Sequence, residues 1–120
     1  MIEMLKSKIH WATVTDANLN CEGSITIYSG LMKAANIQEY EKVSVVNLHN
    51  GERFETYVIT GINPNNAICI NETAARLACE GDKIIIMCYR MCAKKEVEGY
   101  YPTIVLVDQR NQIIQTGCKQ

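Results

Sequence analysis

The feature that most constrains the fold is the pair Asn50-Gly51, which stands between two runs of alternating apolar and polar residues. Asn-Gly is the strongest short signal for a β-hairpin, because both residues tolerate a positive φ angle. The flanking runs, 42–48 and 52–60, follow the period of two that is typical of half-buried strands. The sequence therefore predicts two strands joined by a tight turn.

The rest of the chain repeats this pattern of short strands and turns. Further strands are predicted at 8–15, 24–28, 67–70, 83–89, 103–107 and 112–115, with polar turns at 16–23, 63–66 and 108–111. The run 83–89 is apolar enough for a strand buried on both faces. Short helices are predicted at 29–35, with Ser29 as the N-cap, and at 73–78. About seven or eight short strands and two short helices favour a mainly β fold, a small closed barrel without exposed sheet edges.

Length and charge exclude several classes of protein. The 120 residues contain no internal repeat or linker, so we expect 1–120 to form a single domain. A net charge of −1 gives no basic surface for nucleic acid. No apolar run approaches the roughly 20 residues of a membrane span, and the charges among the first eight residues do not fit a signal peptide. We expect a cytoplasmic protein without nucleic-acid or membrane partners.

The cysteine pattern predicts free thiols. The six cysteines are Cys21, Cys69, Cys79, Cys88, Cys92 and Cys118, and none forms a C-x-x-C pair. Three lie in apolar segments, where a free thiol serves as a small core residue. The spacing lacks the two close pairs typical of zinc sites, so no metal is predicted. His10 and His49 stand apart from any nucleophile and are interpreted as structural or exposed.

One face of the second hairpin strand carries three polar residues, Arg53, Glu55 and Tyr57, since alternate residues of a strand share a face. Arg53 offers a planar guanidinium that suits a carboxylate. Tyr57 offers a phenol roughly 13 Å further along an ideal strand. The pattern alone favours a surface pair between Arg53 and Glu55, beside a half-buried tyrosine, over a substrate site.

Two other segments are open to two interpretations. Lys8 lies among other charges and is ordinarily a solvated lysine. Asn71, Glu72 and Thr73 precede Ala74 and predict a helix start capped by Asn71 or Thr73. The same segment could instead offer free backbone N–H groups to an anion. From the residues alone, capping is favoured.

The pair Gly23-Ser24 lies in a polar turn just before a predicted strand, and such a pair can rearrange. The serine hydroxyl attacks the preceding carbonyl, and the amide becomes an ester. β-Elimination then breaks the chain and leaves a reactive carbonyl at the new N-terminus. Gly-Ser pairs are common, so the significance of this one depends on its surroundings.

Taken together, these segments resemble the pyruvoyl-dependent L-aspartate α-decarboxylases. The matching pieces are residues 5–10, 12–15, 23–27, 50–57, Asn71 with 74–76, 81–86 and 104–108. They occur in order, and the resemblance runs from about residue 4 to residue 111. The resemblance implies a double-psi β-barrel and a homotetramer with sites between subunits.

The resemblance also implies the chemistry. The chain is expected to cleave between Gly23 and Ser24, and Ser24 becomes a pyruvoyl cofactor that heads the fragment 24–120. This carbonyl condenses with the amine of L-aspartate, as pyridoxal phosphate does in other decarboxylases. The product is β-alanine, for pantothenate and coenzyme A synthesis. Whether cleavage needs a maturation factor stays open.

The family's site residues carry over to named positions. By resemblance, Tyr57 is the acid that protonates the product carbon, and a phenol of ordinary acidity keeps its proton at pH 7. Thr56 assists the acyl shift and lies in the substrate site. Since neighbouring strand residues face opposite ways, a bulge or an approach of the substrate along the strand edge is expected to reconcile Thr56 with Tyr57. Substrate carboxylates contact Lys8, Arg53 and the backbone of Glu72, Thr73 and Ala74.

The chain departs from the family pattern near this site. Trp11 stands where the family usually has arginine, Cys21 where it commonly has tyrosine, and Glu72-Thr73 where it has glycine and alanine. The segment 90–101 also lacks the usual acidic stretch. Two alternatives therefore stay open: a decarboxylase with a shifted substrate, and a non-processing barrel that serves as a binding or assembly protein.

Overall fold

The structure, a computed structural model, describes residues 1–18, 24–71 and 77–117. Within them the strands are β1 (Ile2–Thr13), β2 (Asp16–Asn18), β3 (Ile25–Tyr28), β4 (Lys42–Asn47), β5 (Arg53–Gly61), β6 (Ile68–Asn71), β7 (Lys83–Cys92), β8 (Thr103–Val107) and β9 (Ile113–Gly117). The helix α1 spans Ser29–Ala35, and a 3₁₀ turn spans Lys94–Glu96.

These strands form one strongly curled sheet in the order β2-β6-β3-β5-β4-β7-β1-β8-β9. The pairing is mixed, because β1 is parallel to β8 and antiparallel to β7, while β3 is parallel to β5 and antiparallel to β6. The mainly β architecture predicted from the sequence is confirmed, and the curl of the sheet is consistent with a small barrel.

The core lies inside the curl. Alternation of side chains directs branched apolar residues of the strands inward, namely Ile9, Ile25, Ile27, Val43, Val45, Val58, Ile68, Ile70, Ile84, Ile86 and Val105. The short helix α1 adds Leu31, Met32 and Ala35 to the same cluster. Burial of these side chains contributes about 1.5–3 kcal/mol each for the larger ones, so the inward face holds the sheet in its curled form.

Two segments near the N-terminus differ clearly from the prediction. The strand β1 begins at Ile2 rather than Lys8, because its first half pairs with the far end of β7. The segment Asp16–Asn18, predicted as a turn, is the strand β2, which pairs in parallel with β6. Both errors have the same cause. Polar residues in these segments form strands because they pair with strands that are distant in the sequence.

The β4–β5 hairpin is present, but its turn is longer than two residues. Asn47 and Glu52 close it through a 2.8 Å hydrogen bond from the Asn47 N–H to the Glu52 carbonyl, leaving the loop 48–51. Gly51 has a φ of 76°, whereas Asn50 stays on the negative side. The Asn50 side chain instead accepts the Glu52 N–H at 2.9 Å, which favours the longer loop.

Two further details correct the sequence interpretation. The strand β7 runs on to Cys92; it alternates between half-buried and buried residues as far as Cys88 and is exposed at 89–91, so it is not buried on both faces. Ser29 is the first helical residue of α1 rather than its N-cap, because β3 leads directly into the helix through Tyr28.

Four cysteines lie in the described part of the chain, and all are free thiols. Cys69, Cys88 and Cys92 are buried, as expected for small core residues, whereas Cys79 is exposed. Cys21, Cys118 and the helix predicted at 73–78 lie at least partly outside the described residues. Among residues 1–18, 24–71 and 77–117 there is no cluster of three metal-ligating side chains. Nor does any helix in those ranges have the length and apolar character of a membrane span.

Candidate active site

Ser24 is the residue immediately before β3, and it is 1% exposed. Because β3 runs parallel to β5 with Ile25 opposite Val58, Ser24 stands level with Tyr57. Neighbouring strands are about 4.8 Å apart, so their backbones are adjacent. The structure therefore brings together Ser24 and Tyr57, while Gly23 lies outside the described residues.

The ends of β6 and β2 also lie near Ser24, on the side of β3 that faces away from β5. The antiparallel register of β3 with β6 places Ser24 level with Asn71, the last residue of β6. β2 ends beside β6, with Asn18 opposite Asn71. Residues 72–74 follow directly in the sequence, although Glu72, Thr73 and Ala74 lie outside the described part of the chain. Three strands thus begin or end at one corner of the sheet, which we call the Ser24 corner.

Thr56 and Tyr57 lie on opposite faces of β5. The register of β5 with β4 is continuous from Arg53 to Tyr57, so the bulge suggested to reconcile them is absent from this pairing. Both side chains are half-buried. Of the two arrangements expected from the sequence, only approach of a substrate along the strand edge remains.

Arg53 begins β5 on the same face as Tyr57 and is exposed. The prediction of a surface ion pair between Arg53 and Glu55 is wrong. Glu55 instead lies 3.3 Å from the Lys42 ammonium and accepts a 3.4 Å hydrogen bond from Ser44. Within the described ranges, the Arg53 guanidinium joins no ion pair.

Lys8 lies on the outward face of β1, away from the Ser24 corner. The register places Lys8, Met87, Ser44 and Glu55 in one row across β1, β7, β4 and β5. At about 4.8 Å per strand, Lys8 is roughly 19 Å along the sheet from β3. In the order of the sheet, β1 with Lys8 is four strand positions away from β3, the strand that follows Ser24.

Trp11, one of the departures from the family pattern, lies at a register shift of β1 with a φ of 66°. Its ring stacks on His10 with centroids 5.2 Å apart and edges a groove of about 630 Å³. The Nδ1 atom of His10 is buried, with no hydrogen-bond partner among the described residues. Burial, and then the charge of Lys8, lower the pKa of His10, so its imidazole is neutral at pH 7. His49 is exposed, as expected.

One residue near the candidate site was missed in the sequence. Asn47, at the end of β4, is fully buried and polar, next to the start of β5. The available signal was its place in the alternation, because a polar residue occupies an inward position of an otherwise apolar face. Such a residue needs internal hydrogen-bond partners.

Comparison with known sequences now decides the family. Residues 1–114 match the protein family described as Aspartate decarboxylase. The chain belongs to the aspartate decarboxylase family. This membership confirms the resemblance found in the hairpin, the Gly23-Ser24 pair and the other matching segments.

Named relatives in the aspartate decarboxylase family cover nearly the whole chain. The aspartate 1-decarboxylase of Caldicellulosiruptor bescii is 58% identical over 119 residues, 99% of this chain and 93% of that protein. The aspartate 1-decarboxylase of Caldicellulosiruptor saccharolyticus is 56% identical over 120 residues, 100% of this chain and 94% of that protein. That of Clostridium botulinum is 56% identical over 112 residues, 93% of this chain and 88% of that protein.

Proposed function

We propose that this member of the aspartate decarboxylase family converts L-aspartate to β-alanine with a pyruvoyl group made from its own Ser24. The product would feed pantothenate and coenzyme A synthesis. One observation carries the proposal: Ser24 is buried at the start of β3 and stands level with Tyr57 of β5. The substrate is supported by relatives that are aspartate 1-decarboxylases by name.

Ser24 fits the formation of this group. In the proposed processing, its hydroxyl attacks the Gly23 carbonyl and converts the amide to an ester. β-Elimination releases the Gly23 carboxylate and leaves a dehydroalanine, which adds water and loses ammonia to give the pyruvoyl group. At 1% exposure, Ser24 is kept from bulk water, which favours elimination over hydrolysis of the ester.

The residues around Ser24 supply the acid–base chemistry. When formed, the pyruvoyl group provides an electrophilic carbonyl for the substrate amine and accepts electron density as carbon dioxide leaves. Tyr57 then donates its phenolic proton to the substrate carbon from the neighbouring strand. Thr56, on the other face of β5, is assigned to the acyl shift during processing.

Cations and backbone amides bind the substrate carboxylates in this proposal. Arg53 contributes a guanidinium without an ion-pair partner in the described ranges, and its planar fork suits a carboxylate. Lys8 contributes a second cation, and the backbone of residues 72–74 a set of N–H donors. Because Lys8 lies roughly 19 Å along the sheet from β3, we propose that a second copy in a homotetramer completes each site.

Intact-mass analysis of the denatured protein tests the proposal. We expect fragments 1–23 and 24–120, with the larger one lacking a free amino group, together with release of β-alanine from aspartate. Ser24→Ala should leave a single 13.5 kDa chain without activity. Ser29→Ala, at an exposed serine, is the matched control and should cleave normally.

Two results would contradict the proposal in different ways. An uncleaved chain after long incubation, with no β-alanine formed, would reject the pyruvoyl enzyme. Cleavage after Gly23 without turnover of aspartate would reject the substrate while keeping the processing.

A further inference from the structure

Asn47 has a side chain whose hydrogen-bonding groups are all used. It is fully buried, and its Nδ2 donates to the Asp82 Oδ2 at 2.8 Å and to the Leu77 carbonyl at 3.0 Å. Its Oδ1 accepts the His49 N–H at 2.9 Å. Both donors and the acceptor of the amide are therefore satisfied inside the protein, which is required of a buried polar group.

The backbone of Asn47 fixes the start of β5. Its N–H donates to the Glu52 carbonyl at 2.8 Å, and its carbonyl accepts the Gly51 N–H at 2.9 Å. The next pair across the hairpin is Val46 with Arg53. Asn47 therefore lies opposite Glu52, one residue from the Val46–Arg53 pair, at the point where β5 begins.

The partners of Asn47 are themselves anchored. The Asp82 carboxylate also accepts the Cys79 N–H at 2.9 Å, and its backbone carbonyl accepts the Val14 N–H at 2.9 Å. Gly81 donates to the Val14 carbonyl at 2.8 Å. The turn 77–82 is therefore bonded to Val14, the residue after β1, as well as to Asn47.

We propose that Asn47 is a positioning residue: its backbone bonds to Gly51 and Glu52 just before β5, its side-chain amide binds the turn 77–82, and together these bonds fix the position of Arg53. This inference rests on the proposed function, in which Arg53 binds a substrate carboxylate. Asn47 does not touch the substrate in this arrangement. Its effect is on where the guanidinium of Arg53 stands, and hence on substrate affinity.

Position 47 requires the hydrogen-bonding groups of an amide, and a side chain of the same size without them does not suffice. Aspartate in its place would lose both donors and set a second carboxylate against Asp82. Among the described residues, the charged and titratable groups that line the adjoining groove are His49, Asp82, Lys83 and Asp108. Hydrogen bonds from the Cys79 N–H and then from Asn47 lower the pKa of Asp82, so Asp82 is ionised at neutral pH. Protonation of one carboxyl of such a pair restores a hydrogen-bond donor.

The test compares Asn47→Asp with wild type for kcat, KM for aspartate and Tm across pH. We expect KM at neutral pH to rise about tenfold with a smaller change in kcat, since displacement of a binding group weakens ground-state and transition-state binding alike. The KM ratio to wild type should shrink as the pH is lowered and the carboxyl pair takes up a proton. Asn65→Asp, in an exposed turn, is the matched control.

Asn50→Ala keeps the inference falsifiable if Asn47→Asp does not fold. The exposed Asn50 makes a second, longer contact of the same kind, 3.3 Å from its Nδ2 to the Leu77 carbonyl. We expect it to raise KM about two- to threefold. An unchanged KM in both variants, or a lower Tm alone, would overturn the positioning role while leaving the proposed function intact. A wild-type protein that forms no β-alanine would overturn both.

Discussion

The two ends of the segment 53–57 of β5, one at Arg53 and one at Tyr57, are built in different ways. At the Arg53 end, the hairpin loop 48–51 and the turn 77–82 are joined by a network of hydrogen bonds centred on Asn47. At the Tyr57 end, β5 meets the start of β3, with the ends of β6 and β2 beyond it. The first end is held by hydrogen bonds of one buried side chain, and the second by the backbone pairing of neighbouring strands.

Under the proposed function, this difference separates substrate binding from chemistry along one strand. A hydrogen-bonded hairpin gives a fixed position to a charged side chain whose task is to hold an anion. A corner where strands meet brings groups of different origin to one point, as a reaction centre needs. Substitutions at the two ends should therefore change different kinetic constants.

The largest expected effect is at the Tyr57 end. Tyr57→Phe removes the proposed acid and should lower kcat by about 10²- to 10⁴-fold. Cleavage after Gly23 should be unaffected, which intact mass would show. Tyr40→Phe, at an exposed tyrosine, is the control. Turnover within a few-fold of wild type would show that another group protonates the product.

The next effect is at the Arg53 end. Arg53→Lys keeps the charge but loses the planar fork, and we expect KM for aspartate to rise about tenfold, with a larger rise for Arg53→Ala. Steady-state kinetics on the cleaved enzyme would measure this, with Arg110→Lys as an exposed control. A fall in kcat at constant KM would instead place Arg53 in the chemical step and remove the contrast between the two ends.

The Asn47 network predicts an acid-sensitive stability. Because the pKa of Asp82 is lowered in the folded protein, its contribution is present above the ordinary carboxyl range and is lost as the pH falls through the lowered value. Asp82→Asn should lower Tm at pH 7, and the difference from wild type should close below a pH of about 4. Thermal melts across pH would show this, with Glu80→Gln as the control. A Tm difference independent of pH would mean that the charge of Asp82 adds nothing.

The smallest effect is expected between the two ends. Glu55 pairs with Lys42 on the exposed face of β4 and β5, and such pairs contribute about 0–1 kcal/mol. Glu55→Gln should change Tm little and leave KM unchanged, because Glu55 does not hold Arg53. A clear change in KM would show that Glu55 tunes the guanidinium after all.

The sequence predicted well those elements that form between residues close together in the chain. The β4–β5 hairpin follows from alternation and from Asn50-Gly51, and α1 occupies the predicted range. Prediction failed where pairing is distant. Asp16–Asn18 is polar and becomes a strand only because β6 lies beside it, and the first half of β1 forms against the end of β7.

The candidate site likewise has a part that the sequence predicts and a part that depends on distant strand pairing. Arg53 and Tyr57 share a face by strand period, which the sequence alone predicts. Their functional roles came from the family resemblance and stay predictions. That Ser24 stands level with Tyr57 needs the parallel pairing of β3 with β5, and no local pattern encodes it. The predicted Arg53–Glu55 pair is wrong, because Glu55 forms an ion pair with Lys42, which lies opposite Tyr57 on the adjacent strand β4.

The place of β1 in the sheet has a consequence for a chain cut after Gly23. Residues 1–23 contain β1, which lies between β7 and β8, and β2, which pairs with β6. The short piece would therefore be an internal part of the fold and not a released propeptide. The cut protein should migrate as one species in native separations and as two only after denaturation. Its refolding would then depend on concentration, since two molecules must meet to rebuild one sheet.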